Sequence, residues 1–132
     1  MSVNSFDPAS LAARITPEII RVLVAAASHL DSAGFGLSAE MLKLMPGLCK
    51  QGPVDWAAAT APLPDAEIVA LIQVFTRGER DIPGWEAGAK SPVVPMVREL
   101  KKRARFESSF SSWIKNNSNN RFLPHGSLMD RL

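Results

Sequence analysis

Cysteine and histidine are scarce in this sequence. The single cysteine, Cys49, excludes an intrachain disulfide and favours a reducing compartment, where it would serve as a small apolar residue. His29 and His125 are the only histidines, and together with one cysteine they form no cluster at the spacing of metal ligands. We therefore expect no metal site and no cofactor.

The sequence also lacks the features of secreted and membrane-spanning chains. Its first seven residues, MSVNSFD, have neither the positive start nor the apolar run of a signal peptide, and Ser2 stands where N-myristoylation requires a glycine. The longest apolar stretch, from Ile19 to Ala27, is interrupted by Arg21 and is much shorter than the roughly 20 residues that a membrane span needs. We expect a cytoplasmic protein without membrane association.

Local signatures of catalysis are missing as well. The chain contains no GxSxG motif and no Walker phosphate loop. Neighbouring carboxylates, such as Asp65 with Glu67 or Glu79 with Asp81, lie where helix capping and loop solvation account for them. His125 lies in the segment PHGS, which a glycine turn explains. We expect a protein that is not an enzyme, and an uncharacterised enzyme ranks third among the alternatives.

What the sequence does contain is the composition of a globular domain. With 132 residues, 46% apolar and 21% charged, the chain has the size of one domain that buries roughly two-thirds of the surface of its unfolded form. We expect a single all-helical domain over residues 1–132.

Successive helix starts, marked by polar caps and prolines, run through the first half of the chain. Asp7-Pro8 predicts a short first helix, and Thr16 caps a second helix from Pro17 to about Ser32. Glycines at positions 34 and 36 end that helix. Ser38 starts a third helix, in which Pro46-Gly47 predicts a break or a kink.

The middle of the chain carries the clearest helical pattern. Gly52-Pro53 opens a looser region, in which Asp55 caps a short turn that holds Trp56. Asp65 then caps a fourth helix, which we expect at the centre of the fold because its apolar residues recur at helical spacing. Those residues are Ile68, Leu71, Ile72 and Phe75.

The last third adds two helices. The irregular loop RDIPGWEAGA should hold Trp85 against the core, and Ser91 followed by Pro92 predicts a fifth helix over about residues 92–106. A sixth helix should end near Lys115, before the exposed turn NNSNN at residues 116–120. The apolar tail, with Phe122, Leu123, Leu128, Met129 and Leu132, should dock on the body. The fold class that follows is all-α, a compact multihelical domain of about six helices with irregular Pro/Gly-rich connections.

Charge is distributed unevenly along the chain. Residues 1–87 carry six basic and ten acidic residues, a net charge of −4, whereas residues 88–132 carry nine basic and three acidic residues, a net charge of +6. Basic residues concentrate on one side of the fifth helix, opposite its apolar face. The candidate residues for binding a partner or a nucleic acid are Lys90, Arg98, Lys101, Lys102, Arg103, Arg105, Lys115 and Arg121.

These cations predict binding rather than chemistry. Our leading hypothesis is a small non-enzymatic adaptor or regulatory protein, which docks on another macromolecule through its basic C-terminal third. The alternative is a nucleic-acid-binding protein that uses the basic face of the helix at about residues 92–106. Lys90, which precedes a helix start, could add an anion site there. Self-association through the acidic half of a second copy is a further alternative.

Overall fold

The computed structural model describes residues 14–127, and over that range the chain forms α-helices and no β-strand. This confirms the all-α fold class. The helix predicted at Asp7-Pro8 and the tail residues from Leu128 onward lie outside the described residues. The six α-helices of the described range are α1 (Pro17–Ala26), α2 (Ala39–Cys49), α3 (Pro53–Thr60), α4 (Asp65–Asp81), α5 (Val93–Lys102) and α6 (Ser108–Asn117).

Helix α1 begins as the sequence predicts and ends earlier. The hydroxyl of Thr16 accepts the Ile19 amide at 3.2 Å, so it satisfies one free donor of the first turn. The α-helix ends at Ala26 and continues only as a 3₁₀ turn to His29, so the expected end at Ser32 is wrong. Beyond it, Phe35 adopts a positive φ of 56° between two positive-φ glycines, and this conformation places its ring in the core.

Helix α2 shows that the predicted break at Pro46-Gly47 is wrong. The Ser38 hydroxyl accepts the Met41 amide at 3.1 Å, and the helix then runs through Pro46 to Cys49. A proline inside a helix costs about 3 kcal/mol, whereas each large apolar side chain that becomes buried contributes about 1.5–3 kcal/mol. Continuing the helix buries Leu48 and Cys49 completely, which offsets the loss.

Helix α3 occupies the region that the sequence predicted as a short turn. Pro53 takes the first helical position and Asp55 lies in the first turn, so the start is well formed although Gly52 offers no side-chain cap. Trp56 is fully buried, and its indole Nε1 donates to the Leu48 carbonyl at 2.8 Å. This bond ties α3 to the end of α2.

Helix α4 is the centre of the fold, as predicted. It packs against α1, α5 and α6, and the four residues of its predicted apolar pattern are fully buried. The predicted cap is wrong, because Pro64 holds the N-cap position without a side-chain bond. Asp65 instead turns its carboxylate toward the C-terminal end of α5.

The loop after α4 holds Trp85 in the core, as the sequence predicts. Trp85 is fully buried, and its ring lies so close to Gly78 of α4 that a Cβ there would approach Trp85 Cε3 to 2.0 Å. Lys50 supports the loop from outside, since its Nζ donates to the Gly84 carbonyl at 2.9 Å. Glycine at position 78 therefore makes room for an indole.

Helix α5 starts within one residue of its predicted position and stops early. The Ser91 hydroxyl accepts the Val93 amide at 3.2 Å, and Pro92 already has helical dihedral angles. The helix ends at Lys102, and Ala104 has a φ of +57°. The expected extension to about residue 106 is therefore wrong, and the chain turns before it enters α6.

Candidate functional site

The eight candidate cations do not form one continuous helical stripe. Only Arg98, Lys101 and Lys102 lie within α5, because the helix ends before the other basic residues of that segment. Lys90 and Lys115 are exposed on other elements, the first in the 3₁₀ turn Gly88–Lys90 and the second in α6. Each group therefore has a different electrostatic environment.

Arg103 is the hub of an internal network. Its guanidinium donates to Asp65 at 2.8 Å and to Glu99 at 2.8 Å, and it also reaches the carbonyls of Leu63 at 2.7 Å and Ala61 at 2.9 Å. Asp65 and then Glu99 raise the pKa of Arg103 further above its already high value. Five donors in a planar fork suit this arrangement, which fastens the end of α5 to the α3–α4 connection.

Arg105 belongs to the same network. Its Nε lies 3.4 Å from the second oxygen of Asp65, so one carboxylate serves two guanidinium groups. The side chain of Arg105 is 70% exposed, whereas that of Arg103 is 23% exposed. Both cations are thus paired within the fold, which lowers their capacity to attract an external partner.

Lys101 is exposed and has contacts of its own. Its Nζ lies 2.6 Å from Nδ1 of His125 and 5.9 Å from the centre of the Phe106 ring. The His125 ring in turn meets Phe106 edge-on at a centroid distance of 6.2 Å. This small cluster joins α5 to the segment that follows α6.

Arg98 and Lys102 differ from these cations. Within residues 14–127, the structure records no ion pair and no hydrogen bond for either side chain. Both are exposed and line a groove of about 260 Å³ between α3 and α5. The groove also contains Val54, a residue that is 81% exposed. The remaining lining residues are Pro53, Ala57, Pro95 and Glu99.

The groove carries net positive charge although Glu99 lines it. Glu99 accepts a hydrogen bond from Arg103 Nε, and this pair offsets the carboxylate charge. Arg98 and Lys102 have no such counter-charge among the described residues. The α3–α5 groove therefore exposes one apolar side chain, that of Val54, beside the two cations Arg98 and Lys102.

A second cleft, of about 280 Å³, surrounds the buried carboxylate of Glu79. Glu79 is 6% exposed; it accepts hydrogen bonds from the Ser91 hydroxyl and, at 3.0 Å, from Asn120 Nδ2. Burial raises the pKa of Glu79, while the bonds from Ser91 and Asn120 act in the opposite direction and nearby Glu86 raises it again. Arg121 lines this cleft, and its guanidinium lies 4.9 Å from the Phe122 ring.

This carboxylate changes the interpretation of the anion site expected near Lys90. Residues 91–97 are buried, and the Ser91 hydroxyl is already bonded to Glu79. The Ser91 hydroxyl at the start of α5 is therefore not free to bind an external phosphate. The Asn tract also differs from a fully exposed turn, because Asn120 bonds both Glu79 and, at 2.8 Å, the Gly88 carbonyl.

Sequence reasoning missed Val54 and the role of Glu79. Val54 could have been found if Gly52-Pro53 had been interpreted as a helix start, because burial of Trp56 and Thr60 at i and i+4 leaves Val54 on another face. Glu79 offered no comparable signal. Its partner Asn120 lies 41 positions away, and only the folded chain brings the two together.

Between residues 14 and 127, no three His, Cys, Asp or Glu side chains converge in a way that could hold a metal ion. No helix of that range combines the length and the apolar character needed to cross a membrane. No protein-family model matches the chain, and no curated protein and no solved structure is significantly similar to it.

Proposed function

We propose that this protein is a small non-enzymatic adaptor, which docks on another macromolecule through the α3–α5 groove and the adjoining basic side of α5. One observation supports the proposal above the others: Arg98 and Lys102 are exposed without a counter-charge in the described chain, and the most exposed large apolar residue, Val54, lies beside them. Elsewhere in the basic segment, the charges of Arg103 and Arg105 are balanced by the two carboxylates of Asp65 and Glu99.

A protein partner fits these features better than a nucleic acid. Nucleic-acid affinity grows with the number of phosphates that a surface neutralises, and proteins that bind DNA firmly make about 6–10 such contacts. Only three exposed cations share α5 here: Arg98, Lys101 and Lys102. Of the two tryptophans that could stack on a base, Trp85 is fully buried and Trp113 is only partly exposed.

The test reverses the charge of the groove. The variant R98E/K102E should lose a partner that the native protein captures from nuclease-treated lysate, because two attractive charges become repulsive. The matched control is R21E/K43E, which changes the net charge equally at exposed positions of α1 and α2. Equal capture by both variants and the native protein, measured by quantitative mass spectrometry, would contradict docking through this groove.

The nucleic-acid alternative makes a separate prediction. If the three cations of α5 each neutralised one phosphate, the logarithm of DNA affinity should fall with the logarithm of salt concentration with a slope of about −2.7. Binding of a duplex of about 20 base pairs, followed by mobility shift from low salt upward, measures this slope. A steeper slope, together with capture that nuclease abolishes, would favour the alternative over the adaptor.

A further inference from the structure

We propose that the occupant of the α3–α5 groove is an acidic helix of a partner protein. It would place one apolar side chain against Val54 and two carboxylates against Arg98 and Lys102. This inference rests on the proposed function and specifies the chemistry of the partner. It follows from the size of the groove, the spacing of its cations and its net charge.

The size of the groove favours one side chain over a whole ligand. Pockets for small molecules commonly enclose about 300–1,000 Å³, and the α3–α5 groove, at about 260 Å³, lies below that range. Its apolar lining comes from Val54, Pro53, Ala57 and Pro95. A single branched side chain, inserted from a partner segment, is the anchor that such a shallow apolar depression accommodates.

The spacing of the cations favours a helical partner. Arg98 and Lys102 are four residues apart in α5, so a rise of about 6 Å along the helix axis separates them. Carboxylates at positions i and i+4 of a partner helix have the same spacing and share one face. Arg98 can also hold a carboxylate through two parallel N–H donors.

The net charge of the groove selects an acidic partner rather than a neutral one. Glu99 is the only acidic residue that lines the groove in the described chain, and Arg103 is bonded to it. The positive charge of Arg98 and Lys102 is therefore not cancelled within the groove. Acidic residues on either side of an apolar anchor would satisfy the cations while Val54 loses contact with water.

The groove is also held in place before any partner arrives. Val54 lies in the first turn of α3, where Pro53 fixes the backbone on one side and the buried indole of Trp56 anchors the other. Pro95, in the first turn of α5, is itself buried. Side chains on a fixed backbone lose little conformational freedom on binding, so less of the interaction energy is lost.

The experiment uses a defined probe and isothermal titration calorimetry. The probe is a synthetic helical peptide of about four to five turns, long enough to be helical in water, with one leucine at i+3 between glutamates at i and i+4. It should bind the native protein, and R98E/K102E should abolish binding. V54S should weaken binding by about tenfold or more, because it removes the apolar contact.

Controls separate the anchor from charge alone. V22S removes another exposed valine, 41% exposed on α1, and should leave peptide binding unchanged. Replacing the peptide leucine by serine should cost as much as V54S. The thermal unfolding of each protein variant, measured by circular dichroism, verifies that its fold is intact.

The outcomes distinguish this inference from the proposed function. If peptide affinity depends on Arg98 and Lys102 but not on Val54 or the leucine, charge alone is recognised and the apolar anchor is overturned, while docking through the groove stands. If the peptide does not bind but the lysate partner still requires Arg98 and Lys102, the partner is not an acidic helix. Loss of partner capture by R21E/K43E as well as R98E/K102E would overturn both proposals.

Discussion

Glu79 shows how one side chain can fasten three parts of a chain. It lies in the last third of α4, and its carboxylate receives the Ser91 hydroxyl from the start of α5 and the Asn120 amide from the segment after α6. Against the effect of burial, the Ala87 backbone amide also lowers the pKa of this carboxyl. A buried acceptor with several donors organises its surroundings strongly, since removing it would leave each donor unsatisfied.

Stability should depend on pH through Glu79. Burial raises the pKa of this carboxyl in the folded chain, so the folded state retains the proton at pH values where the unfolded state has already lost it. Stability is therefore fully present below the ordinary glutamate pKa of about 4.3 and falls as pH rises through the folded pKa. E79Q, which cannot ionise, should remove this decline.

Urea unfolding from about pH 4 to about pH 8 measures the effect. E86Q, which neutralises the exposed neighbouring carboxylate, serves as the control and should keep most of the decline. At neutral pH, E79A should lower the free energy of unfolding by about 2–4 kcal/mol, because the Ser91 and Asn120 donors lose their acceptor. A native-like decline in E79Q would mean that another group causes it.

Single residues were predictable where their partners lie a few positions away. Thr16 and Ser38 cap their helices as expected, because the donor of each bond is three residues along the chain. Asp65 has the composition of a cap and was wrongly predicted as one. Its partner Arg103 lies 38 positions away and offers a stronger, charge-assisted bond than a first-turn amide does.

At the scale of elements, the contact between α4 and the following loop depends on a glycine in α4, which has no side chain to collide with the loop. Gly78 lies within α4, where alanine would normally stabilise a helix by about 0.5–1 kcal/mol. Here the added Cβ would meet Trp85 Cε3 at 2.0 Å and Cζ3 at 2.2 Å. Overpacking of this kind costs about 1–3 kcal/mol or more, so it outweighs the helical gain.

We therefore expect G78A to destabilise the protein by about 1–2 kcal/mol, measured by thermal unfolding with circular dichroism. The same substitution in a W85L background should cost less, because the smaller side chain leaves room for the methyl group. A G78A variant that is more stable than the native protein would show that the loop can move aside without loss.

Two elements show why the sequence pattern alone was insufficient. Pro46 predicted a break because the local cost of a proline is visible in the sequence, whereas the burial of Leu48 against distant helices is not. For α3 the sequence predicted too little helix, because its run of alanines carries no amphipathic pattern. The burial of Trp56 on one side nevertheless holds this helix in the fold. Strongly periodic α4 was predicted correctly because its own residues define its buried face.

At the scale of the whole molecule, the ion pairs recorded between the acidic and basic halves of the described chain converge on Asp65. Asp65, from the acidic half, pairs with Arg103 and Arg105 from the basic half. Part of the charge asymmetry is thus neutralised inside the fold, whereas the positive charges of Arg98 and Lys102 stay unpaired within the described residues. The sequence predicted the basic segment. It could not show which of its cations are paired within the fold, because that depends on where α5 ends.

The pairing of Asp65 with Arg103 should be structural rather than functional. R103A should lower the melting temperature, and R103K should recover only part of it, because lysine cannot reach Asp65, Glu99 and two carbonyls in one plane. In a double-mutant cycle, D65N should cost less in the R103A background than in the native one. Thermal unfolding measures all four proteins.

The same variants should leave docking intact. R103K should capture the partner as well as the native protein does, at a temperature where it is folded. If the Arg103 variants captured less partner than the native protein while their melting temperature stayed at the native value, Arg103 would belong to the docking surface instead.

Because the buried Trp56 lies two residues after Val54, the intrinsic tryptophan fluorescence of the protein can report on changes near the groove. Trp56 and Trp85 are fully shielded from water and lie against Phe75, at centroid distances of 5.0 Å and 6.0 Å, whereas Trp113 is partly exposed in α6. Replacing Trp113 with phenylalanine would leave only the two shielded indoles emitting. A change in that emission would then report on the surroundings of Trp56 in α3 and of Trp85 in the loop after α4, without any attached dye.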